Sequence, residues 1–223
     1  MRDVIRRQLL VLARRAAQGA YCPYSHFHVG AALLGDDGLL VTGANVENAS
    51  YGLTNCAERT AIFAAAAKGM RRLRAIAVAC VDNPADASES SRMPCGACRQ
   101  VIAEFATPHT EILIDGVGSR SLAEILPGAF VLGRDLSAIS RPTPWVCWEA
   151  ATPADMPSTY TTTLGAGPCL ALVTEDATRA EVAAFAGMHA FHLGGPEGAY
   201  HHGVRNPAEV WTILDELVYA PCD

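Results

Sequence analysis

Asn55-Cys56-Ala57-Glu58-Arg59-Thr60-Ala61-Ile62-Phe63-Ala64-Ala65-Ala66-Ala67 places a capping residue ahead of an apolar, alanine-rich run, the pattern of a helix start with Asn55 as N-cap and a helix reaching Met70. Ala75-Ile76-Ala77-Val78-Ala79-Cys80-Val81 follows as a short continuous apolar run, the signature of a strand covered on both faces. Pro94-Cys95-Gly96-Ala97-Cys98-Arg99-Gln100 then opens a second helix. Pro94 has its φ preset for a first helical position, and Val101, Ile102 and Phe105 recur at helical spacing. Helix, buried strand and helix in succession predict the α/β class.

The same stretch carries chemistry. Cys95 and Cys98, at i and i+3, share one helical face and are close enough to share a metal. Cys56 is distant in sequence, so folding has to bring it in as a third ligand. Three protein ligands leave a tetrahedral zinc one open position, the arrangement of a catalytic site. Glu58, two residues past Cys56, is placed to handle protons there. Helix N-termini favour thiolates, and Arg59 is a compensating donor for a cluster of formal charge −1. Two other readings stand beside this one. Asn55-x-x-Glu58 also has capping-box-like spacing, and a lone Cys-x-x-Cys also serves as a redox pair.

Tyr21-Cys22-Pro23-Tyr24-Ser25-His26-Phe27, Val29-Gly30-Ala31-Ala32, Asn45-Val46-Glu47-Asn48-Ala49, Cys56-Ala57-Glu58-Arg59-Thr60-Ala61, Pro94-Cys95-Gly96-Ala97-Cys98-Arg99-Gln100 and Leu126-Pro127 with Phe130 stand in this order. On these motifs the segment from Tyr21 to Leu136 resembles the zinc-dependent cytidine deaminases, in their small homotetrameric three-cysteine branch. The resemblance implies a three-layer α/β/α fold around a mixed sheet, Zn2+ on Cys56, Cys95 and Cys98, and Glu58 as proton carrier. It implies hydrolysis of a C–N bond of cytidine or 2'-deoxycytidine by water, releasing ammonia, in pyrimidine salvage. Phe27 is then set against the base, Asn45 and Glu47 on the sugar hydroxyls, and backbone near Ala57 and Cys95 on the pyrimidine edge. Phe130 reaches into a neighbouring subunit's site and Tyr51 lies at a shared boundary, which makes a homo-oligomer (tetramer or dimer) with composite active sites. From the residues alone, core packing is the more common role for a residue such as Phe27, and Asn45 and Glu47 equally suit exposed strand ends.

Composition narrows the alternatives. The chain has 223 residues, 18% of them charged, and a net charge of −6, which argues against a nucleic acid partner. A polynucleotide editor is disfavoured for that reason and because such enzymes commonly carry His where Cys56 stands. Arg6, Arg7, Arg14 and Arg15 interrupt the N-terminal apolar residues, unlike a signal peptide, and no run approaches membrane-spanning length. A cytoplasmic protein with reduced cysteines and no membrane partner is expected. A deaminase of a modified or aminoacyl cytosine nucleoside, of the blasticidin S type, is the nearest rival. A non-catalytic zinc-binding interaction module is the rival of another class.

The remaining elements follow from periodicity. Residues 3–19 read as an amphipathic helix, 27–34 and 39–46 as a hairpin around Gly35-Asp36-Asp37-Gly38, and 111–115 as a fourth strand after a helix that stops before Pro108. The resemblance implies a fifth strand next, which the short, glycine-rich 116–121 predicts to be truncated, and Ser121 caps a turn through Leu126. Three parts are expected: a catalytic domain over 1–138, a Pro-rich linker over 139–157 and a small α/β extension over 158–223. In the extension, 169–174 reads as a strand, 178–191 as a helix and 207–218 as a final helix. About seventy residues make a marginal core, so the extension is expected to pack on its neighbour. Its histidines 189, 192, 201 and 202 are a weak second metal candidate, and Trp145, Trp148 and Trp211 are packing anchors.

Overall fold

The computed structural model of the chain describes residues 1–133, 145–149 and 169–218. Side-chain alternation along three strands sets the architecture. In β1 (Val29–Gly35), Ala31 and Leu33 enter one apolar cluster while Ala32 and Leu34 enter another. β3 (Leu73–Cys80) sends Ile76 and Val78 one way and Ala75, Ala77 and Ala79 the other, so it is buried on both faces as its composition requires. β4 (Ala106–Ile114) does the same with Ile112 and Ile114 against Leu113. With β2 (Leu40–Ala44) and the three-residue β5 (Gly118–Arg120) they form a sheet of order β2-β1-β3-β4-β5. Only β3 and β4 run parallel; the other neighbours are antiparallel.

One face of this mixed sheet carries α2 (Ala57–Ala67), α3 (Gly96–Phe105) and α4 (Leu122–Ile125), and the other carries α1 (Asp3–Ala17). The expected three-layer α/β/α arrangement is present. Two strand glycines set the helix heights. A Cβ on Gly30 would meet the Ala13 carbonyl oxygen at 2.0 Å, and one on Gly43 would meet the Ala61 nitrogen at 2.4 Å and the Ala57 oxygen at 2.8 Å. Only the absence of a side chain lets α1 and α2 lie this close to the sheet.

Several boundaries differ from expectation for local reasons. Cys56, not Asn55, is the N-cap of α2, and Cys95 is the N-cap of α3, which leaves Pro94 two residues before the first helical residue and not at it. The capping-box reading of Asn55 and Glu58 is not realised; Asn55 instead donates to Thr60 Oγ1 at 3.4 Å. β4 begins five residues before the expected Glu111. Its register jumps from the Leu73–Ala106 pair to Ala75–Glu111, which accommodates Pro108 in a bulge tied by Thr110 Oγ1 donating to the Leu73 carbonyl at 2.6 Å. Ser121 closes a capping box with Glu124 at α4, and β5 is short, both as read from the sequence.

The extension is a second sheet, wholly parallel, of order β6-β7-β8-β9. Its strands are Trp145–Trp148, Cys169–Thr174, His189–Leu193 and His202–Val204, with α5 (Ala177–Phe185) and α6 (Pro207–Val218). The linker expectation over 139–157 therefore meets a strand at 145–148; residues 139–144 and 150–157 lie outside the described residues. The helix expected over 178–191 stops at Phe185. Gly187 takes φ 85°, and the following His189–Leu193 is a strand, because Ala190 and Phe191 bury on opposite faces of the second sheet.

This sheet docks on α1. Val146, Ala171, Val173, Phe191, Val204, Trp211 and Leu214 share one cluster with Ile5, Leu9 and Leu12 of α1 and with the first sheet. Leu172, Ala180, Ala184 and Ala190 close its far face against α5. The α1 layer is thus covered on both sides. Gln8 Nε2 donates to the carbonyls of Ala184 at 3.0 Å and Met188 at 2.8 Å, and Arg15 donates to that of Phe185 at 2.8 Å. Arg74 donates to the Glu216 and Leu217 carbonyls, and His189 Nε2 lies 3.0 Å from the Gly38 carbonyl in the β1–β2 turn. Trp148 and Trp211 pack with ring centroids 5.4 Å apart, as anchors.

Candidate metal centre and active site

The two helix starts that carry the thiols converge. Cys56, Cys95 and Cys98 place their sulfur atoms within 4.8 Å of one another, the one such metal-binding group among the described residues, and the C-terminal histidines form none. Cys56 Sγ and Cys95 Sγ are 3.9 Å apart. Two sulfurs bound to one tetrahedral zinc at about 2.3 Å each sit roughly 3.8 Å apart, so the donor set and its spacing fit Zn2+. Arg59 Nη2 points at Cys56 Sγ from 3.7 Å and donates to the Thr54 carbonyl at 3.0 Å. Thiolates this close repel. Cys56 is lowered to about 5, first by hydrogen bonding from Cys98 and then by Arg59, while Cys98 is pushed up by its partnership with Cys56 and by burial. A divalent cation relieves that repulsion.

Glu58 is the second residue of α2 and is 4% exposed. Burial pushes its carboxyl up to about 7, and the negative charge on Cys56 adds to this. The second cysteine loop is held from behind. Arg99 donates to the Pro94 carbonyl and to the Ile125 carbonyl, each at 2.8 Å, tying the start of α3 to α4.

A connected strip of backbone brings the other sequence-derived residues alongside. Val46 exchanges hydrogen bonds with Asn55 at 2.9 Å each way, and Tyr21 pairs with Asn45 and Glu47 on its other side. The residue before the first cysteine is therefore bonded directly to the Asn45–Glu47 strip. Asn45, 8% exposed, donates from Nδ2 to the Phe27 carbonyl and accepts the Val29 amide on Oδ1, both at 2.9 Å. Glu47 Oε2 accepts the amides of Tyr24 at 2.9 Å and Ser25 at 3.2 Å. Hydrogen bonding by the Ser25 side chain leads the effects that keep this carboxyl below the usual range. Phe27 is half-buried, neither sealed in the core nor fully on the surface. Ala57 is fully buried at the start of α2, where Gly43 admits it. Tyr51 and Phe130 are the outliers, 88% and 69% exposed on the surface of this chain. Gln100 donates to the Phe130 carbonyl at 2.7 Å, which fixes that segment to α3. Arg99, Ser25 and Asp82 were not assigned roles from the sequence; each acts on backbone distant in the chain or on an irregular turn, which leaves no periodic signal.

Comparison with known proteins agrees with this geometry. Residues 4–113 match the family model of the cytidine and deoxycytidylate deaminase zinc-binding region. The chain is 50% identical over 129 residues to a cytidine deaminase of Halalkalibacterium halodurans, covering 56% of this chain and 93% of that protein. It is 51% identical over 133 residues to one of Mycobacterium tuberculosis, covering 59% and 94%. A crystal structure of cytidine deaminase from Burkholderia pseudomallei shares 46% identity over 55% of this chain and 96% of that one, with a TM-score of 0.48. The family match, the sequence relatives and the thiol cluster together define a zinc-binding deaminase. The chain belongs to the cytidine and deoxycytidylate deaminase family, and its C-terminal extension lies beyond what these relatives cover.

Proposed function

We propose that this chain hydrolyses the exocyclic amine of cytidine and 2'-deoxycytidine, giving uridine or 2'-deoxyuridine and ammonia. The observation that carries the reading is the convergence of three sulfurs with a buried carboxylate two residues past the first of them. Zinc held by Cys56, Cys95 and Cys98 supplies Lewis acidity and draws the pKa of water towards neutrality. Glu58 moves the protons: it takes one from the attacking water, passes it to ring N3, and carries the second to the departing amine. One carboxyl serves both transfers because they are sequential, and a value near 7 suits either direction. Phe27 faces the base. Asn45 and Glu47 take the sugar hydroxyls with the capacity left after their backbone bonds, and backbone at Ala57 and Cys95 meets the pyrimidine edge. Arg59 offsets the thiolate charge.

The same reading covers the assembly and the parts of the chain. Tyr51, Leu53, Phe130 and Leu132 are large apolar side chains left mostly exposed, which supports a homo-oligomer in which Tyr51 and Phe130 serve a neighbouring subunit's site. We read residues 1–138 as the catalytic domain and 158–223 as an extension that shares the α1 layer. Polar contacts of the extension include those with Arg2, with Gln8 and Arg15 of α1, and with Gly38 and Arg74, and Gly38 and Arg74 lie at the sheet end away from Val29 and Cys80. This supports an ordinary nucleoside over a bulky modified one. The acidic balance speaks against a nucleic acid substrate. No helix among the described residues is long and apolar enough to cross a membrane, and a cytoplasmic role in pyrimidine salvage accords with the reading.

The test is a substrate panel of cytidine, 2'-deoxycytidine, blasticidin S and a cytosine-containing single-stranded oligonucleotide, following ammonia release with and without a zinc chelator. Chelator-sensitive turnover of the free nucleosides is expected. Turnover of blasticidin S or the oligonucleotide alone overturns the substrate assignment, and turnover by zinc-free protein overturns the mechanism.

A further inference from the structure

The segment Phe27 to Val29 has every backbone polar group taken, mostly by side chains from elsewhere. The Phe27 amide donates to Ser25 Oγ at 3.1 Å and its carbonyl accepts from Asn45. The Val29 amide donates to Asn45 Oδ1, and its carbonyl accepts the Asn45 amide at 3.1 Å. Between them, the His28 carbonyl accepts the Val81 amide at 3.2 Å. The His28 amide donates to Asp82 Oδ2 at 2.6 Å, and the same oxygen lies 2.8 Å from His28 Nδ1.

The turn feeding this segment is strained. His26 has φ 56°, a left-handed conformation for a residue with a side chain. Such a turn persists only where its surroundings over-determine it. Glu47 holds it upstream through Tyr24 and Ser25, Asn45 brackets it, and Asp82 holds it downstream. The first two are already placed on the substrate's sugar. Asp82 is not, yet it stands at the carboxyl end of β3, where the loop towards Cys95 begins.

We propose that Asp82 is a positioning residue for nucleoside binding: by gripping the amide and ring of His28 it fixes the backbone that presents Phe27 to the base, and it ties that backbone to the loop leading to the second metal motif. The inference rests on the reading of Phe27 as the base-facing residue. The Asp82 carboxyl is held below the usual carboxylate range, first by the His28 amide and then by its ring, as a working acceptor would be. The grip acts on where the ring sits and leaves the proton carrier and thiol cluster untouched, so it affects binding more than turnover.

The experiment compares wild-type protein with Asp82→Ala and Asp82→Asn at matched zinc content and with melting temperatures recorded. Uridine binding by calorimetry reads the grip without turnover. Asp82→Ala is expected to weaken uridine binding and raise KM for cytidine by about tenfold, the order carried by one hydrogen bond to a charged group. Its kcat is expected to stay within roughly threefold, because Glu58 is not displaced. Asp82→Asn, which keeps an oxygen for the His28 amide, is expected to recover most of the loss. Unchanged uridine affinity and KM in Asp82→Ala overturn the proposal, as does a fall in kcat with KM unchanged. A wild-type protein that binds uridine but does not deaminate cytidine overturns the proposed function and leaves the grip standing on the binding data.

Discussion

Glu58 is where sequence position and physical chemistry meet most directly. It sits in the first turn of α2, next to sulfur-bearing Cys56 and shut away from solvent, so its carboxyl is held near 7 by burial. Replacing it with Ala is expected to leave zinc content and fold intact while turnover falls by more than the ~10²–10⁴ typical of a single acid–base group, since the proposed mechanism gives it two transfers. Single-turnover measurements with metal analysis of the same sample check this, and near-normal turnover reverses the assignment. Cys95 with Cys98, and Cys56 with Glu58, were legible in the chain because each pair lies within one helical turn, while the 39-residue separation of Cys56 and Cys95 is closed only by folding. The His28–Asp82 contact spans 54 residues and follows no period, so only the folded chain displays it. Asn45 shows a related gap. Its motif marks the residue, while its bracing of Phe27 and Val29 is visible only in the structure.

At the scale of elements, a strand glycine governs the metal centre. Gly43 lets α2 lie against β2 with its N-cap cysteine at the correct height. Gly43→Ala would drive a methyl into backbone at Ala57 and Ala61, which cannot yield as a flexible side chain does. Overpacking of this kind costs roughly 1–3 kcal/mol. A lower melting temperature and weaker zinc retention against a competing chelator are expected together; a variant unchanged in both rules out this role. Strand and helix identities in the first domain followed from apolar runs and caps, with errors of one or two residues at most ends. The larger miss, the helix carried through to Phe191, arose because Ala190 and Phe191 satisfy a helical stripe as readily as a strand. The second sheet, with clusters on both faces, decided between them.

At the scale of the molecule, the extension shares its core with α1, and it buries histidines there. His189 and His202 are 0% and 2% exposed, and burial lowers them to about 4 and about 3. The folded-state values lie below the ordinary 6.5, so these groups contribute stability above that pH which is lost as pH falls from there towards 4. The melting temperature is expected to drop by roughly 5 °C between pH 7.5 and 5.5. His202 stacks on Phe191 and neither of its ring nitrogens has a partner among the described residues, so His202→Leu is expected to flatten the drop with little loss at pH 7.5. Equal slopes in both proteins, followed by calorimetric unfolding, overturn this. The sequence by itself marked the Cys95–Cys98 pair, the Cys56–Glu58 pair, the α/β class and most elements of residues 1–133, because those are written in spacings of one helical turn or alternate strand residues. Only the tertiary structure decided that α1 serves two sheets, that the Asn45–Glu47 strip is bonded to the residue before Cys56, and that Asp82 reaches His28. Contacts between distant segments depend on how the layers close, and no local pattern encodes that closure.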